Sequence, residues 1–264
     1  MGYNKITGGD IMNQNRSVPA DRVLEKLDEY LSKNDYDAAK RHLIYWLSEA
    51  KECGDERVIL LLNNELMGLC RKLAQKEEAL KFANDALLQI KKMGIENNIG
   101  AATTYLNSAT VYKAFGMAED AMGLFEKAKE IYERSLSPKD DRLGGLYNNM
   151  ALALVDLKRF DEADLFYKKA ISVMKSGAGY EPEQAITYLN MATAAEMQFG
   201  LEGAETLISD NIQKAMELLD LGKNRDDGNY AFVCEKCAGV FGYYGYFDYE
   251  NQLKERYRRI YERA

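Results

Sequence analysis

Residues 146–171 read LYNNMALALVDLKRFDEADLFYKKAI, and this stretch decides the fold. Up to Leu157 its apolar residues recur at helical spacing. Lys158 is a polar break. Asp161 and Glu162 open a second helical stretch, and Lys168 and Lys169 follow, the charge order that suits a helix dipole. The stretch predicts two antiparallel helices joined by a tight turn. Small residues, Ala151 and Ala163, sit where the helices approach, and Tyr167 fills the space around them.

The same pattern continues outward in both directions. An acidic pair followed by alanine occurs in QKEEALKFANDA, GMAEDAMGLFEKA and KRFDEADLFYKKA, and more loosely in NDYDAAKRHLIYW. The alanines are Ala39, Ala79, Ala121 and Ala163, at steps of 40, 42 and 42, and Ala204 follows at 41. An independent feature keeps the same period: Tyr105, Tyr147 and Tyr188 each begin a short Asn- and Ala-containing motif, at steps of 42 and 41. Gly116, Gly200, Gly245, Asn34 and Lys158 mark the turns between paired helices. The expected units are approximately 19–55, 58–98, 101–140, 143–180, 184–224 and 229–264, an all-α chain of about six hairpins. Residues 1–18 are polar, lie outside the repeat and are expected to form a flexible tail. One unit departs from the pattern. Ala121 to Ala128 and Ala163 to Ala170 are 7 apart, whereas Ala204 to Ala215 is 11. The extra 4 residues are about one helical turn and predict a longer helix or a local bulge.

Composition agrees. The 264 residues contain 3 prolines, where average usage gives roughly 13. The net charge of −7 argues against a chain that blankets nucleic acid or an anionic membrane. Four cysteines are too few for a disulfide scaffold of this length. The first twenty residues lack a signal-peptide core, and no apolar run approaches 18 residues. These features lead us to expect a cytoplasmic protein with reduced thiols and neither nucleic acid nor membrane as partner.

The period, the acidic helix starts and the paired alanines resemble the tetratricopeptide repeat. The 42-residue step and the quoted stretch are similar to the subclass found in kinesin light chains and many bacterial signalling proteins. The resemblance covers roughly residues 20–264 and is strongest over 101–175. It implies a right-handed superhelical solenoid whose first helices line a concave groove.

Residues with chemical potential have structural explanations. The paired carboxylates recur once per repeat at the same helix start, so the dipole accounts for them without acid–base catalysis. Cys234 and Cys237 form a CxxC on the buried stripe of a helix, and Cys53, Cys70 and His42 belong to the first two units. A closed zinc site needs about four ligands, so both thiols are expected to pack as core. The chain has no GxxxxGK[ST], no GxGxxG after a strand and no HExxH. No catalytic residue, metal or cofactor is expected. In the sixth unit Leu253, Tyr257, Ile260 and Tyr261 form an apolar seam, which turns Arg256, Arg259 and Arg263 to the other, solvated side. The aromatic run Phe241–Tyr249 fits hairpin core, with an exposed docking patch as the alternative.

The helical phase that buries Tyr105 and Ala109 turns Asn107 and Lys113 toward the groove, and the same phase applies to the other units. The expected groove residues are Asn64, Arg71, Asn107, Lys113, Asn148, Asn149, Leu152, Asn190, Thr193 and Met197, with Leu106, Thr110 and Leu189 beside them. Asparagine offers both a donor and an acceptor. The resemblance implies that Asn107, Asn149 and Asn190 grip an extended peptide backbone. The alternative is that each ties its helix to the next repeat. The places that would hold a carboxylate clamp carry Asp28, Gly68, Thr110, Leu152 and Thr193, too few cations for one. The expected function is a non-enzymatic scaffold with a protein or peptide in its groove. Rivals are a regulatory sensor of a signalling peptide or partner regulator, a helical enzyme, and self-assembly into a homo-oligomer.

Overall fold

The computed structural model describes residues 17–177 and 179–263, which contain twelve α-helices and no strand. The chain divides into two compact units, one ending at Phe115 and one beginning at Gly116. Most of the expected tail, residues 1–16, lies outside the described residues, while Val18 is buried against the first hairpin.

The first unit comprises α1 (Ala20–Ser32), α2 (Tyr36–Cys53), α3 (Glu56–Lys72), α4 (Lys76–Met93) and α5 (Ile99–Ala114). Local chemistry sets several of these limits. Asp35, Asp55 and Asn98 each accept a hydrogen bond from the backbone N–H three residues on, satisfying donors that the first turn leaves open. Gly54 and Gly94 end α2 and α4 in the left-handed conformation, which glycine reaches without a Cβ penalty. Helices α1 and α2 pair, α3 and α4 pair, and α5 lies against both α3 and α4. Leu43, Leu62, Leu66, Met67 and Ala83 bury fully at their centre. Burying one such leucine stabilises the fold by about 1.5–3 kcal/mol.

The second unit comprises α6 (Ala118–Ser135), α7 (Asp141–Asp156), α8 (Phe160–Lys175), α9 (Glu181–Gly203), α10 (Glu205–Leu221), α11 (Gly228–Tyr243) and α12 (Phe247–Tyr261). Helices α7 and α8, α9 and α10, and α11 and α12 form three hairpins stacked in chain order, with α6 against α7. Ala151, Ala163 and Tyr167 share one buried cluster, and Ala192 and Ala204 share another.

The turn inside a hairpin uses one residue with positive φ. Asn34 (54°) and Ala74 (55°) do this in the first unit, and Lys158 (61°), Gly200 (74°) and Gly245 (86°) in the second. The expected irregularity of the fifth unit is present. Gly200 breaks α9 with φ 74° and ψ 168°, so residues 201–203 already belong to the second arm. That arm then deviates at Ala204 before α10 continues to Leu221. Both a longer arm and a local distortion accommodate the added turn.

The sixth unit corrects one expectation. Leu253 and Ile260 are buried and Tyr257 is half-buried, but Tyr261 is exposed. Arg256 does not go to solvent. It donates to Asp220 at 2.7 Å and to the Tyr230 hydroxyl at 3.1 Å, and its side chain is 13% exposed. The cause is the end of α10. Tyr230 Oη donates to the Leu219 carbonyl and Tyr249 Oη to Asp220, and one guanidinium completes the cluster. The aromatic run divides: Phe241 and Tyr249 are core, whereas Tyr243 and Phe247 are exposed.

Candidate binding face on the first helices

In the first unit the face is carried by α3 and α5. Asn64 Nδ2 donates to the Leu60 carbonyl at 2.9 Å and to Thr104 Oγ1 at 3.1 Å. Asn107 Nδ2 donates to Asn64 Oδ1 at 3.0 Å, joining the first helices of consecutive repeats. Asn107 makes no other side-chain hydrogen bond among the described residues, so its carbonyl oxygen and second N–H stay available. Arg71 is exposed, yet surrounding protein depresses its pKa by desolvation. Solvent access combined with desolvation fits a recessed surface. Glu65, six residues earlier on α3, has its pKa raised by burial and by the nearby Asp28 carboxylate. A Cβ added at Gly68, between them, would meet open space. Lys113 is half-buried.

In the second unit the face is carried by α7 and α9. Asn190 Nδ2 donates to Asn148 Oδ1 at 3.1 Å, the same tie as in the first unit. Asn149 differs: its Nδ2 donates to the Gly145 carbonyl of its own helix. Leu152 is half-buried, and Thr193 and Met197 are exposed, with Thr193 Oγ1 bonded to the Leu189 carbonyl. Leu189 is 3% exposed and packs in the core, so it leaves the face on which the helical phase placed it. The structure thus brings Asn64 to Asn107 and Asn148 to Asn190, and leaves Asn149 on its own helix.

A polar cluster absent from the expected set lies on the same stripe. Glu196 accepts from Tyr243 at 2.5 Å and from Tyr244 at 2.7 Å, tying α9 to α11. Burial and the carboxylate raise the Tyr244 pKa. At the other end Asn229 donates to Glu183 at 2.7 Å. Glu196 follows Thr193 by one turn, so its place on the stripe was available from helical spacing; its two phenol partners were not.

Cys234 and Cys237 are buried and unpaired, and burial pushes the Cys237 thiol up to about 12. Among the described residues no three His, Cys, Asp or Glu side chains gather as a metal site requires. His42 Nε2 lies 3.0 Å from the Val23 carbonyl, edge-on to Tyr30 and Trp46. No helix among the described residues is long and apolar enough to cross a membrane.

Consecutive hairpins with a recurrent amide pair on their first helices define a helical-repeat protein. Tetratricopeptide-repeat models match residues 101–141 and 145–173, so these two stretches are tetratricopeptide repeats, and the hairpins on either side share their fold. A comparison with curated proteins finds no match. Among solved structures, BtubC (BKLC) from P. vanneervenii matches with a TM-score of 0.63 at 20% identity, covering 75% of this chain and 80% of that one. A putative kinesin light chain from Podosopora anserina with nearly identical TPR-like repeats matches with a TM-score of 0.50 at 17% identity, covering 76% and 94%. At these identities the likeness is one of fold. Tetratricopeptide repeats are in general non-enzymatic protein-interaction scaffolds.

Proposed function

We propose that this protein is a scaffold that holds an extended peptide segment of a partner protein against its first helices. The observation that carries the reading is the half-used amide. Asn107 and Asn190 each spend one N–H on a neighbouring repeat and retain a carbonyl oxygen and a second N–H. A peptide backbone presents the complementary donor and acceptor at every residue. The interhelical bond holds each amide in place beforehand, so little side-chain entropy is lost on binding. The two alternatives for the asparagines are then compatible, because one amide can tie helices with one edge and meet a ligand with the other. Arg71, Lys113, Leu152, Thr193 and Met197 supply selectivity beside the amides. The reading places the chain in a reducing, cytoplasmic compartment, which four free cysteines support. Binding is the whole activity in this reading, and a partner protein is its ligand.

The test is Asn107→Ala/Asn149→Ala/Asn190→Ala. Capture of partners from the source cell's lysate should fall, with helical circular dichroism unchanged. Undiminished capture by a folded triple variant would refute the assignment.

A further inference from the structure

We propose a second docking site, independent of the first-helix face, at the corner where α9 meets α10. Its ligand is a basic, apolar-flanked segment of a partner protein that inserts one lysine or arginine side chain. Three observations converge there.

The first is a cavity of about 250 Å3 between the start of α8, the end of α9 and the start of α10. It equals about eight waters at roughly 30 Å3 each, and lies just below the usual small-molecule range of about 300–1,000 Å3. One long side chain suits it better than a metabolite. Tyr167 is among its lining residues, is 1% exposed, and has a hydroxyl with no hydrogen-bond partner among the described residues. Buried hydroxyls are rarely left unpaired, so this one calls for a polar group from outside. A phenol oxygen accepts readily from an ammonium or guanidinium N–H.

The second is the rim. Asp161 and Asp164 line this cavity, and Glu202 and Glu205 line its 490 Å3 neighbour on the other side of α10. Among the described residues no lysine, arginine or histidine lines either one. Asp164 pairs with Lys168 outside the cavity, while the other three carboxylates make no ion pair among the described residues. The helix dipole accounts for acids at helix starts in every unit, but not for an unpartnered phenol beside them.

The third is the apolar surface. Phe199, Leu201 and Leu207 are 53%, 56% and 47% exposed within nine residues of chain, on the walls of the two cavities. This is also the place where the fifth unit carries its additional helical turn. An arginine or lysine stem fits such walls, and its charged end meets the acids.

Two synthetic peptides of equal length test the proposal: one alternates arginine with leucine and phenylalanine, the other has glutamate at each arginine. Fluorescence anisotropy on the full chain should report binding of the basic peptide alone, weakening as salt is raised. Asp161→Asn/Asp164→Asn/Glu202→Gln/Glu205→Gln should weaken it about tenfold or more. Phe199→Ala/Leu207→Ala should weaken it too, with circular dichroism unchanged. Asn107→Ala/Asn149→Ala/Asn190→Ala should leave it intact, which separates this site from the first-helix face. No binding, equal binding of both peptides, or indifference to the rim substitutions would overturn the proposal. So would light scattering in which the chain pairs with itself through this corner.

Discussion

Asn107 donates its amide N–H to the Asn64 carbonyl oxygen across two first helices, 43 residues apart in sequence. The second unit repeats the contact between Asn190 and Asn148, 42 residues apart. Neutral side-chain hydrogen bonds of this kind contribute about 1 kcal/mol net. Asn107→Ala and Asn190→Ala should each lower urea-unfolding stability by about that amount. Asn64→Ala should cost more, because it also leaves Thr104, 2% exposed, without its donor. In a double-mutant cycle Asn64 and Asn107 should couple, whereas Asn149, bonded to its own helix, should show no coupling to Asn190. Additive losses for the first pair would deny the tie.

Ala74 and Lys158 hold positive φ where Gly200 and Gly245 serve elsewhere in the repeat. A Cβ in the left-handed region costs about 1–2 kcal/mol, and glycine's larger unfolded-state entropy offsets about 0.4–1 of it. Ala74→Gly and Lys158→Gly should therefore stabilise the chain by about 0.5–1 kcal/mol, while Gly200→Ala should destabilise it. Denaturation midpoints read the sign directly.

Buried thiols resist modification because the thiolate is the reacting form. Cys70, Cys234 and Cys237 are buried and their pKa values raised by desolvation. Cys53, half-buried at the end of α2, is the accessible one. A colourimetric thiol titration at neutral pH should count one fast cysteine in the folded chain and four in denaturant. Rapid reaction of Cys234 or Cys237 would restore a redox or metal reading of the CxxC.

Asp140 caps α7 and chelates Arg142 through two hydrogen bonds of 2.8 and 2.7 Å. The hydrogen bond from Arg142 holds its carboxyl down at about 2, against an ordinary 3.8. A carboxyl depressed in the folded state contributes stability that is complete above its unfolded pKa and is lost as pH falls toward the folded one. The contribution should fade between about pH 4 and pH 2. Solvent screening keeps it near the value of a helix cap, about 1 kcal/mol. Asp140→Asn should flatten that part of the stability profile.

The hairpins and their turns were legible because each unit repeats the same solution, so the alanine and tyrosine periods reinforce one another. The partners of the asparagines were not. Asn64 and Asn148 share one position in the repeat, and Asn107 and Asn190 occupy the next, so only the offset between stacked helices brings them together. Arg256 was misplaced for a related reason. Helical phase gives the face of α12, but not that the end of α10 brings Asp220 to it. The α9–α10 corner announced itself only as a spacing anomaly between Ala204 and Ala215, which fixes chain length and not the cavity beside it.

The central claim is that a peptide lies along the first helices. Its most direct test is site-specific photo-crosslinking, with a photoreactive amino acid at Thr193 on that face or at the exposed Lys91 on α4, which lines neither proposed site. The account predicts partner adducts from position 193, none from position 91, and loss of the adducts on Asn107→Ala/Asn149→Ala/Asn190→Ala. Adducts from position 91 alone, or adducts at 193 that persist in the triple variant, would contradict it.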